Sequence, residues 1–182
     1  MAVGDRARGV SEDGCRMTTY WVSRRGYKAL VERRSHLLEE IRKTQKQLGD
    51  AVRRDNDLRE NPEYLELSMR LDTVLRKQLS EATATIAASR IFEDVPAFGT
   101  DPLERVSLGT RVTIEDECAK QQTYAVVGFG EPDGQAGDIS YLSPLARALM
   151  GKQVGEEVTV NLPGGQRRLR IASIERDTRF VA

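Results

Sequence analysis

Between Ser23 and Ser89 the chain carries two long stretches of helical periodicity with one proline between them, and nothing else in the sequence constrains the fold as tightly. Ser23 is a candidate N-cap, and no proline interrupts the chain from there to about Arg54. Tyr27, Leu30, Leu37, Ile41, Thr44, Leu48 and Ala51 recur in steps of three and four, broken only where Arg34 occupies an apolar place. Leu67, Leu71, Leu75, Leu79, Ala82 and Ile86 form a second stripe that runs to about Ser89. Both stripes are narrow, as in a two-stranded coiled coil, and helices joined by a short turn lie antiparallel. At roughly 1.5 Å per residue each arm is about 45–50 Å long, more than a compact domain of this size needs. The expectation is an antiparallel coiled-coil hairpin over 18–92.

The turn at 55–64 carries its own chemistry. Asn56 tolerates a positive φ, and Pro62 pushes Asn61 out of the helical region. Asn61 followed by Pro62 also reads as an N-cap with proline at the first helical position. Asp55, Asp57, Glu60 and Glu63 crowd the turn against Arg59 alone, with Arg53 and Arg54 just before it. Two readings are open on the residues themselves. The acids either favour the N-terminus of the second helix in a solvated turn, or form an acidic point that reaches into a partner. His36 lies off the stripe and reads as an exposed, non-catalytic histidine.

Past the arm the period changes. Residues 93–107, with Pro96, Gly99 and Pro102, read as a linker. Beyond it 110–115, 123–128, 139–142, 157–162 and 167–174 alternate as strands rich in Val, Ile, Thr and Tyr, with loops at 130–137 and 163–165. One short helix, 144–150, starts after Ser143 with Pro144 at its first position and stops at Gly151. The fold class is α+β, with a small strand-rich C-terminal domain over 108–182. Composition narrows the function. Of 182 residues 31% are charged, with a net charge of zero, which argues against a general nucleic-acid binder. Cys15 and Cys118 have no spacing for a disulfide framework or zinc site, which fits a reducing cytoplasm. Residues 1–17 read as a disordered extension without the apolar core of a signal peptide, and Met17 is an alternative start. No apolar run reaches membrane-spanning length, so no membrane partner is expected.

Two motifs then carry a resemblance to a known family. The first is Asp57-Leu58-Arg59-Glu60-Asn61-Pro62-Glu63-Tyr64. The second is Ser143-Pro144-Leu145-Ala146-Arg147-Ala148-Leu149-Met150-Gly151-Lys152, followed by Pro163-Gly164-Gly165. Together with the Arg25-Gly26 pair, they make 18–176 similar to the bacterial Gre transcript-cleavage factors, which rescue backtracked RNA polymerase. The resemblance implies a coiled coil that enters the polymerase's secondary channel and an FKBP-like C-terminal domain that grips its rim. It implies Asp57 and Glu60 as the catalytic pair, completing a second Mg²⁺ site shared with the polymerase active site, with no metal held stably by the factor alone. Arg53, Asp55 and Asn61 become accessory tip residues, and Ser143, Pro144 and Arg147 the rim contact. The partners are then bacterial RNA polymerase and the nascent RNA 3′ end of the backtracked complex. The factor is a monomer, and not itself an enzyme but an activator of the polymerase's own endonuclease.

Some residues keep a second reading. Ser143 is equally a cap for its own helix. Arg33, Arg34, Arg42, Lys43 and Lys46 either attract extruded RNA or simply solubilise the first helix, paired in part with Glu39 and Glu40. Asn56 stands where the family commonly has glycine, Asp55 adds a carboxylate to the tip, and Leu142 replaces a residue that is commonly polar. An extra tip acid is also a feature of Gre-like proteins that occlude the channel without promoting cleavage, and this is the alternative function. An FKBP-like domain also raises proline isomerisation, for which this one offers only Tyr124, Phe129, Tyr141 and Phe180 as pocket aromatics.

Overall fold

The computed structural model describes residues 19–55, 57–95, 98, 103–132, 137–162 and 165–180. The extension at 1–17, the backbone of Asn56, and the punctuation of the linker and loops at 96–97, 99–102, 133–136 and 163–164 lie outside them. The chain divides into two compact units, one of Tyr27–Ala88 and one that joins the residues up to Gly26 to those from Ser89 onward.

The long N-terminal helix is present. Helix α1 spans Arg24–Arg54, and the Ser23 hydroxyl caps it by accepting from the Gly26 N–H at 2.9 Å. The second helical run opens with α2 (Pro62–Met69), passes through a π-helical segment (Arg70–Leu75), and ends as α3 (Arg76–Ala88). Leu37 of α1 shares one buried cluster with Leu71, Leu75 and Ala82, with Ile41 and Leu79 packed against it. Ion pairs join Arg54 to Glu63 at 2.7 Å and Glu40 to Arg70 at 3.8 Å. The Arg34 Nε, at the break in the first stripe, is buried without a partner among the described residues.

The π segment was not anticipated, and the leucines explain it. Leu67, Leu71, Leu75 and Leu79 are four apart, and in an α-helix of 3.6 residues per turn each such step drifts by about 40°. A wider turn absorbs the drift. The Arg76 N–H accordingly reaches back five residues to the Leu71 carbonyl, and Leu71 and Leu75 both stay buried.

The strand-rich unit holds a five-stranded sheet built from β3 (Thr110–Asp116), β4 (Gln121–Val127), β5 (Asp138–Ser140), β6 (Glu157–Leu162) and β7 (Gly165–Arg176), in the order β5-β4-β3-β7-β6. All neighbours are antiparallel except β4 and β5. Val112 faces Ile174 and Ile114 faces Ile171, so three residues on β3 oppose four on β7, and the ladder is irregular between Thr113 and Ile114. That extra residue is why β7 buries Leu169, Ile171 and Ile174 at steps of two and then three. Helix α4 (Pro144–Leu149) adds Ala146 and Leu149 to the core of Val106, Val112, Val126, Val158, Val160 and Ile171. Fully burying Leu149 or Ile171 contributes about 1.5–3 kcal/mol each.

One pairing has no counterpart in the sequence reading. The three-residue strands β1 (Tyr20–Val22) and β2 (Ser89–Ile91) pair in parallel, Tyr20 with Ser89 and Val22 with Ile91. Among the described residues no helix is long and apolar enough to cross a membrane.

Candidate functional site: the acidic tip

The site is built where the chain passes from α1 to α2. The Asp57 carbonyl accepts from the Glu60 N–H at 3.2 Å and from the Asn61 N–H at 3.0 Å. A turn closed in this way keeps its end residues within about 7 Å, Cα to Cα, so residues 57 and 60 are neighbours across one turn. Asn61 then caps α2, its side chain accepting from the Tyr64 N–H at 3.0 Å, with Pro62 in the first turn.

The four acids of the turn are not equivalent. Glu63 is tied to Arg54 at 2.7 Å. Asp55 accepts from the Asp57 N–H at 3.0 Å, which fixes the backbone just before the turn. The Asp57 carboxylate likewise accepts from the Arg59 N–H at 3.2 Å through one oxygen, and the Glu60 carboxylate has no hydrogen bond or ion pair among the described residues. Residues 57–60 are all exposed. Asp55 and Asp57 each spend one carboxylate oxygen on a backbone N–H two residues on, Glu63 spends one on Arg54, and Glu60 alone of the four has no bond among the described residues. Asp57 and Glu60 are the two that face each other across the closed turn. Arg53 points to solvent, 3.6 Å from Asp50.

A hard cation suits such a pair, because magnesium takes oxygen ligands and is commonly held by one or two carboxylates plus substrate phosphate. Two carboxylates supply only part of an octahedral shell. Among the described residues no cluster of three or more His, Cys, Asp or Glu is arranged to hold a metal.

Comparison with known proteins decides the family. Residues 101–176 match the model of the C-terminal domain of the GreA/GreB transcription elongation factors. The chain is 31% identical to the transcription elongation factor GreA of Ralstonia nicotianae, over 87% of this chain and 99% of that protein. With GreA of Aliarcobacter butzleri it shares 35% identity over 69% of this chain and 75% of the relative. The chain belongs to the GreA/GreB family of transcription elongation factors. Among solved structures this Gre factor is similar to GreA factor homolog 1 of Thermus thermophilus, with 20% identity and a TM-score of 0.38, over 86% of this chain and 99% of that one. So distant a likeness adds nothing to the assignment, which rests on the sequence relatives.

The second candidate region of this Gre factor lies within the matched C-terminal segment. Ser143 caps α4, its hydroxyl accepting from the Ala146 N–H at 3.2 Å. Pro144 and Arg147 are exposed on that helix. Leu142 is half-buried, and its N–H donates to the Ser140 hydroxyl at 3.3 Å. Among the basic residues of α1, Arg42, Lys43 and Lys46 are all exposed, and Arg42 lies 3.4 Å from Glu39.

Two polar constellations of the Gre factor escaped the sequence reading. Glu131 accepts from the Ser23 N–H at 2.6 Å and from the Ser23 hydroxyl, and its side chain fills the space that Cβ atoms on Gly26 and Gly128 would need. Burial raises the Glu131 carboxyl above its ordinary range by more than the Ser23 donors lower it; Glu93 adds to the rise and Arg25 opposes it. Arg179, in turn, bridges two buried carboxylates, Asp138 at 2.7 Å and Asp177 at 2.7 Å, with Arg111 3.5 Å from Asp177. Burial alone would raise the Asp177 carboxyl, but the side-chain and backbone donors of Arg179 hold it below its ordinary range. The long-range half of each has no local signal, since Ser23 and Glu131 are 108 residues apart and Asp138 and Arg179 are 41 apart.

Proposed function

We infer that this Gre factor binds bacterial RNA polymerase, passes its helical arm through the secondary channel, and stimulates cleavage of backtracked RNA by the polymerase's own active site. The observation that carries the reading is the pairing of Asp57 and Glu60 across one closed, exposed turn, the Glu60 N–H donating to the Asp57 carbonyl at 3.2 Å, with the Glu60 carboxylate uncommitted among the described residues. They are the pair we assign to a second Mg²⁺ shared with the polymerase. That ion, when bound, activates water and stabilises the attacking and leaving oxygens of phosphodiester cleavage. The protein's part is to present the two carboxylates, one toward the ion and one toward its water, and to keep the intervening turn closed. The factor is thus an accessory to an enzyme, working as a monomer in the cytoplasm on the polymerase and the RNA 3′ end.

The arm is read as an antiparallel coiled-coil hairpin over 18–92 with its tip at 55–64. Two facts support that: partner numbers fall on one run as they rise on the other, Arg54 with Glu63 and Glu40 with Arg70, and Leu37 packs in the cluster of Leu71 and Leu75. The linker at 93–107 then leads to an FKBP-like domain over 108–182, whose Ser143, Pro144 and Arg147 meet the channel rim. Exposure of Pro144 and Arg147 supports that assignment, and the cap made by Ser143 gives its hydroxyl a structural duty as well. Arg53, exposed at the last turn of α1, faces RNA phosphate or a polymerase loop.

The test is an RNA-cleavage assay on a stalled, backtracked complex of the cognate polymerase. Wild-type factor shortens the transcript, and Asp57→Ala or Glu60→Ala lowers the stimulated rate at least about 100-fold while polymerase binding persists. A wild-type protein that binds and slows nucleotide addition, yet never shortens the RNA, would overturn the reading.

A further inference from the structure

Asn61 stands out in the tip because it is only 4% exposed while residues 57–60 beside it are open to solvent. Its side-chain amide is used in both directions. The Nδ2 group donates to the Ala51 carbonyl at 3.2 Å and to the Asp55 carbonyl at 3.1 Å. The Oδ1 atom accepts from the Tyr64 N–H at 3.0 Å. Meanwhile its backbone N–H closes the turn on the Asp57 carbonyl at 3.0 Å, and its carbonyl starts α2 by accepting from Leu65 at 3.1 Å. One residue therefore supplies a donor to the Asp55 carbonyl and a second donor to the Ala51 carbonyl, which also accepts from the Asp55 N–H at 3.1 Å, caps α2, and closes the turn that carries Asp57 and Glu60.

We propose that Asn61 is a positioning residue for the cleavage chemistry, holding the Asp57 and Glu60 carboxylates at a fixed spacing by fastening both ends of their turn. The proposal rests on the reading above and adds a residue that touches neither RNA nor metal. The physical argument is one of donors. A cap needs only an acceptor, which aspartate and serine provide as well as asparagine. The bridge to Ala51 and Asp55 needs two N–H donors on the same side chain, which asparagine alone among the good caps supplies. In Asn61→Asp the acceptor to Tyr64 survives. The Asp55 carbonyl loses its side-chain donor, the Ala51 carbonyl keeps only the Asp55 N–H, and a negative charge faces both beside Asp55 and Asp57. The turn then keeps α2 but loses its tether to α1. Small displacements of catalytic groups cost rate steeply, on the order of 100-fold for about 1 Å.

The experiment compares full-length wild type, Asn61→Asp and Asp57→Ala on the same backtracked complexes, reading maximal cleavage rate and half-saturating factor concentration separately. Amide hydrogen exchange at residues 57–61 and helical circular dichroism are read on the free proteins. For Asn61→Asp the maximal rate falls roughly 10- to 100-fold while half-saturation stays within about twofold. Exchange at Glu60 and Asn61 speeds up at least about tenfold, and helical content is unchanged. Wild-type rate with Asn61→Asp, or parallel loss of rate, half-saturation and helical signal, overturns the proposal, the second by reducing Asn61 to a fold residue. If wild type itself fails to cleave, the functional reading falls. Slowed or unchanged exchange in Asn61→Asp would then still overturn the tether on its own.

Discussion

The two ends of α1 are finished in opposite ways. At the first residues of the helix, carboxylates are drawn in: Glu131 accepts twice from the buried Ser23, and Glu93 accepts from the Arg24 N–H. The charge sits where free N–H groups and the helix dipole favour it. At the last residues the cap is neutral, made by the buried amide of Asn61, and Asp57 and Glu60 are left in water. Glu131 is half-buried and takes two donors from Ser23, whereas Asp57 and Glu60 are exposed, the first carboxylate with one backbone donor and the second with none among the described residues. The Asp138–Arg179–Asp177 bridge belongs with the first kind.

The sharpest way to break this contrast is to remove one carboxylate of each kind. Asp177 is 1% exposed and multiply bonded to Arg179. Asp177→Ala should cost about 3 kcal/mol, near the lower end for a broken buried pair because Arg179 stays partly in water. Asp57→Ala should change stability by less than about 0.5 kcal/mol. Urea unfolding of the two variants decides, and a tip substitution as damaging as the buried one would erase the distinction.

The pH dependence of the same measurement separates the buried carboxylates from one another. Because burial lifts Glu131 above 4.5, its stabilising contribution is complete below that pH and is lost as the pH rises through the folded-state value. Asp177 is held below 3.8, so its contribution is present above that pH and is lost as the pH falls through the folded value. Relative to wild type, Glu131→Gln should therefore gain stability with rising pH from about 4.5 upward. A difference that does not vary with pH would show that Glu131 titrates alike in the folded and unfolded chain.

The smallest effect concerns Arg34, whose buried Nε lacks a partner among the described residues, in a stripe that is otherwise apolar or small. Arg34→Leu should stabilise the arm by about 1 kcal/mol, by removing an unsatisfied donor and completing the seam. Thermal unfolding gives the sign directly, and a lower melting temperature would mean that the Arg34 stem packs better than leucine.

What was legible in the sequence had a local cause. Asn61-Pro62 and Ser143-Pro144 were readable as helix starts because a cap and its proline are adjacent, and both cap hydrogen bonds are present. Strand β6 at Glu157–Leu162 was readable because Val158 and Val160 alternate with exposed polar residues. Strand β7 runs further than its alternation suggests, since Gly165–Arg168 are all exposed and give no period. The β1–β2 pair is three residues long and joins positions 69 apart, too short for any period to register. The π segment was present in the four-residue leucine spacing, which reads as a plain helical stripe until burial shows that phase was kept. At the tip the acids were visible and their partners were not: Asp55 and Asp57 each take a backbone N–H two residues on, as short acidic side chains do, while Glu63 reaches Arg54 across the turn, nine residues away.

The Glu131 clasp also governs which substitutions are compatible with one another. The atoms nearest to a Cβ on Gly26 would all belong to the Glu131 side chain. A Cβ on Gly128 would meet that side chain and also the backbone at Val22 and Trp21, at 2.7 and 2.8 Å. Gly26 is therefore glycine conditionally: a shorter residue at 131 opens the space that an alanine at 26 would occupy, so the two positions can drift as a pair. Gly128 has no such freedom, because main chain does not retreat when a side chain is trimmed. Epistasis between residues 26 and 131, and its absence at 128, is written into one carboxylate's choice of where to lie.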